Sequence, residues 1–385
     1  MKILIALTYY RPHISGLTIY VERLARALAT RGHTVTVLTS QYDPTTPRQE
    51  ILEGVNVIRV PVLARISKGV VMPTIGFEAW RLVPRHDVLS IHLPQLDATG
   101  FALRGRLLGK PVVVTYHSDL LLPPSLVNWA AGTAINLNNH AVARLADKIV
   151  AYTDDFARHS TLLSRYLPKV HVIPPPVEMP EPSDEAVQAF KATHQLDGRG
   201  PFIGIAARLA AEKGIEYLLE ALPRVAEKYP GVMVLHAGPR EAIGEQAYLH
   251  RLTPLLEKNK DRYLWVGSLN PEQLAVFFRA CDVHVVASTN STETFGLVQV
   301  EAALCGTPTV ASALPGVRMP TQMTGMGRTF PPREAGALAT ALLEVLDNHA
   351  HYVRPRAPIA EMFSPQTTAA NYETLFETLL LRSKK

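Results

Sequence analysis

The segment TETFGLVQVEAALCGTP, residues 292–308, sets two glutamates, Glu293 and Glu301, around seven mostly apolar residues. The run reads as the first turns of a buried helix, and glutamate is rarely buried without a partner. The polar cluster STNST just before it (288–292) is N-cap composition. Gly296, expected in the first turn, has no side chain to keep a ligand from the backbone. The amides of Phe295, Gly296 and Leu297 would then face an anion, aided by the helix dipole. Glu301, among Ala302, Ala303 and Leu304, suits the two hydroxyls of a ribose, and Glu293 can accept from a second sugar. The plainer alternative is a first-turn glutamate stabilised by the dipole and a Glu301 paired with a neighbouring Lys or Arg. Spacing alone leaves both readings open.

Outward from this segment, short β-rich runs alternate with helical stretches. The strand candidates are 2–7, 34–39, 55–60, 87–92, 111–116, 148–152 and 170–173, then 202–206, 232–236, 263–266, 283–287 and 308–311. Several are unbroken V/I/L/A runs, as in parallel strands buried on both faces. Residues 17–30 carry Val21, Leu24, Ala25 and Leu28 at helical spacing and stop before Gly32. Between the halves, VIPPPVEMPEPSD (172–184) is a stiff connector that supports neither helix nor sheet. Residues 367–381 read as a last helix. At 385 residues two domains are the natural expectation. The fold class is therefore α/β, with two mostly parallel-sheet units joined by a Pro-rich hinge. Ligands in such sheets bind beyond the carboxyl ends of the strands, and the cleft between two units is the default site.

Composition narrows the classes. Apolar residues make up 47% and charged residues 19%, ordinary for a globular chain. No apolar run approaches the roughly 18 residues that span a bilayer. The start, MKILIALTYYRPH, is too short in its apolar run for a secretory signal and fits a buried first strand. Cys281 and Cys305 lack metal-ligand spacing and read as structural thiols of a cytoplasmic protein. The net charge of +5 favours anionic partners. The excess gathers between Arg59 and Lys110, where eight basic residues face three acidic ones. That stretch is either a solvated face or a patch for an anionic membrane or acceptor. No recognised nucleic-acid module accompanies it, so nucleic acid is not an expected partner.

Three further segments carry chemistry. In IAARLAAEKGIEYLLEAL (205–222), Arg208 and Lys213 follow a strand end, where two cations suit a diphosphate. In YYRPHISGLTIYVERLARAL (9–28), Gly16 opens a helix after the first strand, and no G-x-G-x-x-G dinucleotide fingerprint is present. In VVTYHSDL (113–120), His117 and Asp119 lie just past a buried strand, where a His can donate to a sugar hydroxyl or a leaving phosphate. No metal-ligand cluster and no D-x-D dyad is evident. Asp154 and Asp155 read as helix caps.

Together these segments resemble the retaining glycosyltransferases of the GT-B fold, glycosyltransferase family 4 (glycosyl transferases group 1), over nearly the whole chain. The most diagnostic match is Glu293, Phe295-Gly296-Leu297, Glu301 and Gly306-Thr307-Pro308. ARLAAEKG resembles the family's phosphate loop, SGLTIYVERLARALATRGHTVTVLT its N-terminal glycine loop and helix, TYHSD its His-bearing loop, and HVIPPPV the end of its first domain. The resemblance implies two Rossmann-like domains facing across a cleft. Residues 1–176 would be the acceptor side, 177–362 the nucleotide-sugar side, and 363–385 a helix returning to the first domain. It implies that Glu301 binds the ribose, Glu293 the donor sugar, and the amides of Phe295, Gly296, Leu297 and Val298 the diphosphate and sugar. Arg208 and Lys213 would neutralise the leaving diphosphate and Gly16 would touch it. His117 would sit near the transferred sugar and Leu269 near the base. Catalytic roles thus fall to His117, Arg208, Lys213 and Glu293, with no metal and no cofactor. Three departures stand out: Ser15 where the family often has a second glycine, Ala207 where it usually has glycine, and Pro315-Gly316-Val317-Arg318-Met319 where Gly-Gly-x-x-Glu is common.

The implied reaction moves a hexose from a nucleoside-diphosphate sugar to a hydroxyl acceptor, lipid-linked or glycan, with retention. The basic first half and the apolar SDLLLPPSLVNWAAG (118–132) point to peripheral binding at the inner face of a membrane. Two rivals share the fold: a nucleotide-sugar epimerase that needs no acceptor, and an inactive sugar-nucleotide-binding protein.

Overall fold

The computed structural model describes residues 1–66, 69–119, 126–240 and 245–383. Lys68 and residues 120–125 of the apolar 118–132 stretch lie outside them. The chain divides into two compact units, Met1–Pro176 with Phe363–Lys385, and Val177–Met362.

The first unit contains β1 (Lys2–Ala6), β2 (Thr34–Gln41), β3 (Gln49–Leu52), β4 (Val55–Pro61), β5 (Ala64–Ile66), β6 (Gly69–Val71), β7 (Val88–Leu93), β8 (Val112–Tyr116), β9 (Lys148–Ala151) and β10 (Val170–Val172). Eight of them form one sheet in the order β10-β9-β8-β7-β1-β2-β4-β3, parallel except for β3 against β4. The central strands are the unbroken apolar runs of the sequence. Ile3, Val37, Val57, Val88 and Val113 are buried because helices cover both faces. The small hairpin β5–β6 and the edge strand β3 are polar or short, so their sequences carry no comparable signal. Helix Gly16–Thr30 packs its Tyr20, Val21, Leu24 and Leu28 stripe inward, and Ser15 caps it with a reciprocal bond to Thr18. That capping role gives a local reason for serine rather than glycine at position 15. Helix Pro365–Ser383 lies against this helix, with the Tyr372 and Tyr20 hydroxyls 2.8 Å apart.

The second unit contains β11 (Phe202–Ala206), β12 (Met233–Ala237), β13 (Tyr263–Gly267), β14 (Val283–Val286), β15 (Thr309–Ser312) and β16 (Gly327–Phe330). They form an all-parallel sheet in the order β13-β12-β11-β14-β15-β16. The order reverses direction at β11 and β14, and between their carboxyl ends such sheets open a crevice.

Of the basic excess between Arg59 and Lys110, Arg59 faces inward. It is buried, paired with Glu50 at 2.5 Å, and donates to the Pro47 and Arg11 carbonyls. Arg81 and Arg106 remain on the surface, paired with Glu78 and Asp147. Thr153 is the N-cap beside Asp154 and Asp155, whose carboxylates fall in the first turn of the helix instead.

Candidate active site

The second unit's crevice is built from the loops that follow β11 and β14 and from the start of the next helix. After β11 the chain runs through Ala207 and Arg208 into a short 3-10 turn, Ala211–Lys213, before helix Ile215–Lys228. Gly214 ends that turn at φ +61, and a Cβ there would fall 2.2 Å from the Ala287 carbonyl oxygen. Only glycine lets the turn lie this close to the end of β14. The Thr289 amide donates to the Glu212 carbonyl at 2.9 Å and fixes the same contact. Lys213 is thereby delivered to the loop that follows β14, where its Nζ stands 2.5 Å from Glu293 Oε2. Both side chains are mostly covered, and both line a pocket with Ala206, Ala207, Ser288 and Val298.

Helix Leu297–Leu304 starts later than the sequence suggests. Gly296 is its N-cap, at φ +75, rather than a first-turn residue, and Glu293 stands in the loop ahead of it. A Cβ on Gly296 would come within 2.7 Å of Gln299 Nε2. That amide donates to the Phe295 and Val317 carbonyls at 2.9 and 2.8 Å, tying the helix start to the 314–318 loop. The fully buried Phe295 ring anchors it from below. Val298, in the first turn, reaches the pocket, so this helix N-terminus and its amides border the same space as Lys213. Glu301 is buried one turn further on. The helix stops in a Schellman motif: the Gly306 amide donates to the Ala303 carbonyl and the Thr307 amide to the Ala302 carbonyl, with Gly306 at φ +85. Gly306-Thr307-Pro308 therefore has a backbone reason as well as a family one.

Arg208 follows the pocket-lining Ala207, and its guanidinium is ion-paired with Glu212, four residues along in the 3-10 turn. Leu269 is half-buried in the loop after β13, just before Asn270 caps helix Pro271–Ala280. The pocket chemistry of the second unit is thus an ammonium, a carboxylate and a helix N-terminus around the end of a parallel sheet. Such a set can hold a diphosphate and orient sugar hydroxyls. Among the described residues no three His, Cys, Asp or Glu side chains gather as a metal site. Cys281 and Cys305 are buried free thiols, and burial pushes the Cys305 thiol up to about 12.

In the first unit, His117 stands just past β8 but is buried. Its Nε2 is 2.9 Å from His92 Nδ1, and its Nδ1 is hydrogen-bonded with the Tyr152 hydroxyl. Tyr20 packs edge-on against the His117 ring and stacks on Tyr152. Burial holds His117 well below the usual imidazole range and His92 down at about 3, so both rings are neutral. Asp119 accepts from the Tyr116 and Ser160 hydroxyls and serves that loop rather than solvent. Gly16 opens helix Gly16–Thr30 directly after its cap. Sequence reasoning missed His92, Tyr152 and Tyr20. The signal available for the first was a histidine inside the wholly buried run VLSIHL.

The comparisons with known proteins cover both units. Residues 15–176 match the model of the glycosyl transferase 4-like domain, and residues 187–359 match that of the glycosyl transferases group 1. A D-inositol 3-phosphate glycosyltransferase of Segniliparus rotundus is 31% identical over 340 residues, 81% of this chain and 72% of that protein. A phosphatidyl-myo-inositol mannosyltransferase of Mycobacterium tuberculosis is 25% identical over 94% of this chain and 93% of its own. Among solved structures, sucrose-phosphate synthase from Thermosynechococcus elongatus superposes with a TM-score of 0.75 at 22% identity, covering 99% of each chain. The Anabaena protein HepE, solved in complex with UDP-glucose, also gives 0.75, at 19% identity over 98% of this chain and 100% of its own. These neighbours show the GT-B fold. The chain belongs to the glycosyl transferases of group 1, glycosyltransferase family 4.

Proposed function

We propose that this glycosyltransferase moves a hexose from a nucleoside-diphosphate sugar to a hydroxyl acceptor, with retention at the anomeric carbon and without a metal ion. The observation that carries the reading is the Lys213–Glu293 pair, at the pocket where the 297–304 helix also begins. Lys213 and Arg208 neutralise the leaving diphosphate, and the amides of Phe295, Gly296, Leu297 and Val298 bind it. Glu293 has acceptor capacity beyond the oxygen facing Lys213 and takes the donor sugar's hydroxyls. Glu301 takes the ribose and Leu269 packs near the base. From the family resemblance we assign Gly16 to the diphosphate and His117 to the neighbourhood of the transferred sugar. The ring nitrogens of His117, held by His92 and Tyr152, leave it a positioning part rather than that of a hydrogen-bond donor.

The main barrier is charge separation between an oxocarbenium-like sugar and the departing diphosphate. Preorganised donors aimed at the phosphate lower it, which is the task of Lys213, Arg208 and the helix amides. The bond from the anomeric carbon to the phosphate oxygen breaks, and the acceptor oxygen bonds on the same face. The acceptor proton passes to the leaving phosphate oxygen. The test is product analysis by NMR with UDP-, GDP- and ADP-hexoses and D-inositol 3-phosphate or phosphatidylinositol as acceptors. Retention supports the reading. An inverted product, or donor conversion without acceptor, overturns it.

The acceptor is proposed to be anionic, lipid-linked or at a membrane surface. Two relatives are named for inositol-phosphate acceptors. Helices Ile75–Leu82 and Ala98–Leu107, which touch each other, expose Phe77, Trp80, Leu103 and Leu107 beside Arg81 and Arg106. Exposed apolar side chains near surface arginines suit an anionic interface, where lipid phosphates would compete with Glu78 and Asp147 for the guanidinium groups. Among the described residues no helix is long and apolar enough to cross a membrane, so the contact proposed is peripheral. Sedimentation with phosphatidylserine liposomes at low salt, lost at high salt, is expected. No binding at low salt removes the membrane surface from the proposal.

A further inference from the structure

β12 reads MVLHA, an apolar strand with one histidine near its carboxyl end. His236 is fully buried there. Its Nε2 lies 2.8 Å from the Ala207 carbonyl oxygen, and its Nδ1 is hydrogen-bonded with the Tyr263 hydroxyl. A carbonyl only accepts, so Nε2 carries the hydrogen. A neutral ring has one N–H, so Nδ1 accepts and Tyr263 donates. Burial pushes His236 down to about 4, which keeps the ring neutral near physiological pH.

We propose that His236 is a positioning residue for the nucleoside-diphosphate pocket, acting through its Nε2–H on the Ala207 peptide. The inference rests on the reading of that pocket as the donor site. Ala207 lines the pocket with Lys213 and Glu293, and the next residue is Arg208. The Ala207 amide donates to the Ala237 carbonyl at 2.9 Å while the Ala207 carbonyl accepts from His236, so the peptide groups on both sides of this residue are held. Gly238, at φ +143, passes so close that a Cβ would fall 2.1 Å from the Ala207 oxygen. The surroundings fix the imidazole in turn. Its ring stacks on Trp265 at 4.3 Å, and the Trp265 indole donates to the Gly238 carbonyl at 3.0 Å. A valine would fill this core position without the desolvation cost of an imidazole. What the imidazole adds is a directed bond to the peptide from which the phosphate loop departs.

His236→Phe keeps the aromatic stack and removes the donor, whereas His236→Gln retains an amide donor. Binding of UDP, GDP and ADP and of the matching nucleosides is measured by calorimetry on the full chain. The nucleoside diphosphate that the wild type binds best is expected to bind about tenfold more weakly to the Phe variant. Its nucleoside is expected to bind unchanged, and the Gln variant to recover most of the loss. Equal loss for nucleoside and nucleotide, or wild-type binding by the Phe variant, overturns the inference while the donor-site reading stands. A wild type that binds no nucleoside diphosphate overturns both. Nitrogen-15 NMR of the wild-type imidazole gives a check independent of variant folding. The Nε2–H tautomer is expected, and the Nδ1–H tautomer contradicts the assignment.

Discussion

The Lys213–Glu293 pair joins residues eighty apart in sequence, and each reaches the pocket by a glycine-dependent route. Gly214 presses the Lys213 turn onto the end of β14, and Gly296 turns the chain into the helix just after Glu293. The side chains keep some solvent contact, so breaking the pair costs about 1 kcal/mol of stability at most. In the proposed mechanism the loss in turnover is far larger. Glu293→Ala and Lys213→Ala are each expected to lose roughly 100-fold or more in kcat, with thermal midpoints nearly unchanged. Steady-state kinetics beside thermal melts of the purified variants check this, and near-normal turnover in either variant removes its role. These two residues were visible in the sequence because each stands in a motif at a strand end. His92, Tyr152 and Tyr372 were not. Their partners His117, His117 and Tyr20 are 25, 35 and 352 residues away, and no local pattern encodes such a meeting.

At the scale of elements, unbroken apolar runs became the central strands of both sheets, since a strand covered on both faces needs little else. The helix at 297–304 was legible, but its start was not. Apolar periodicity runs through Phe295, while the backbone there is set by a left-handed Gly296 and by a buried glutamine that bonds two carbonyls. Gly296→Ala combines a strained φ with a Cβ against Gln299 Nε2, at a cost of about 1–3 kcal/mol. It is expected to lower the thermal midpoint and weaken nucleotide binding together. A variant with wild-type melting and binding would show that the helix start tolerates a side chain. The closing helix Pro365–Ser383 offers a second test. Tyr372 lies within 2.8 Å of both the Tyr20 and Thr115 hydroxyls. Tyr372→Phe leaves those groups short of a partner inside the first unit and is expected to cost about 1 kcal/mol or somewhat more by denaturant unfolding. A cost indistinguishable from zero contradicts the account of this contact.

For the molecule as a whole, several buried histidines bear on stability against pH. Burial lowers His92 and His284 from 6.5 to about 3 and His236 to about 4. Between those values and 6.5 the unfolded chain binds more protons than the folded one. Their contribution is therefore fully present above pH 6.5 and is lost on acidification. Each such histidine contributes roughly 1 kcal/mol per pH unit in that window. His92 belongs to the first unit, His236 and His284 to the second, so the unfolding transitions of both are expected to shift downward between pH 6.5 and 4.5. Melts across this range that stay flat contradict the buried, neutral assignment.

The central claim, a nucleoside-diphosphate site at Lys213, Glu293 and the 297–304 helix, is tested most directly by thermal melts with UDP, GDP, ADP and dTDP. Each nucleotide is added with EDTA and with magnesium. A nucleotide at about 100 times its dissociation constant stabilises the folded state by about 2.7 kcal/mol. The account predicts that at least one raises the midpoint in EDTA, and that Lys213→Ala abolishes the rise. No stabilisation by any of them, with or without magnesium, would contradict it.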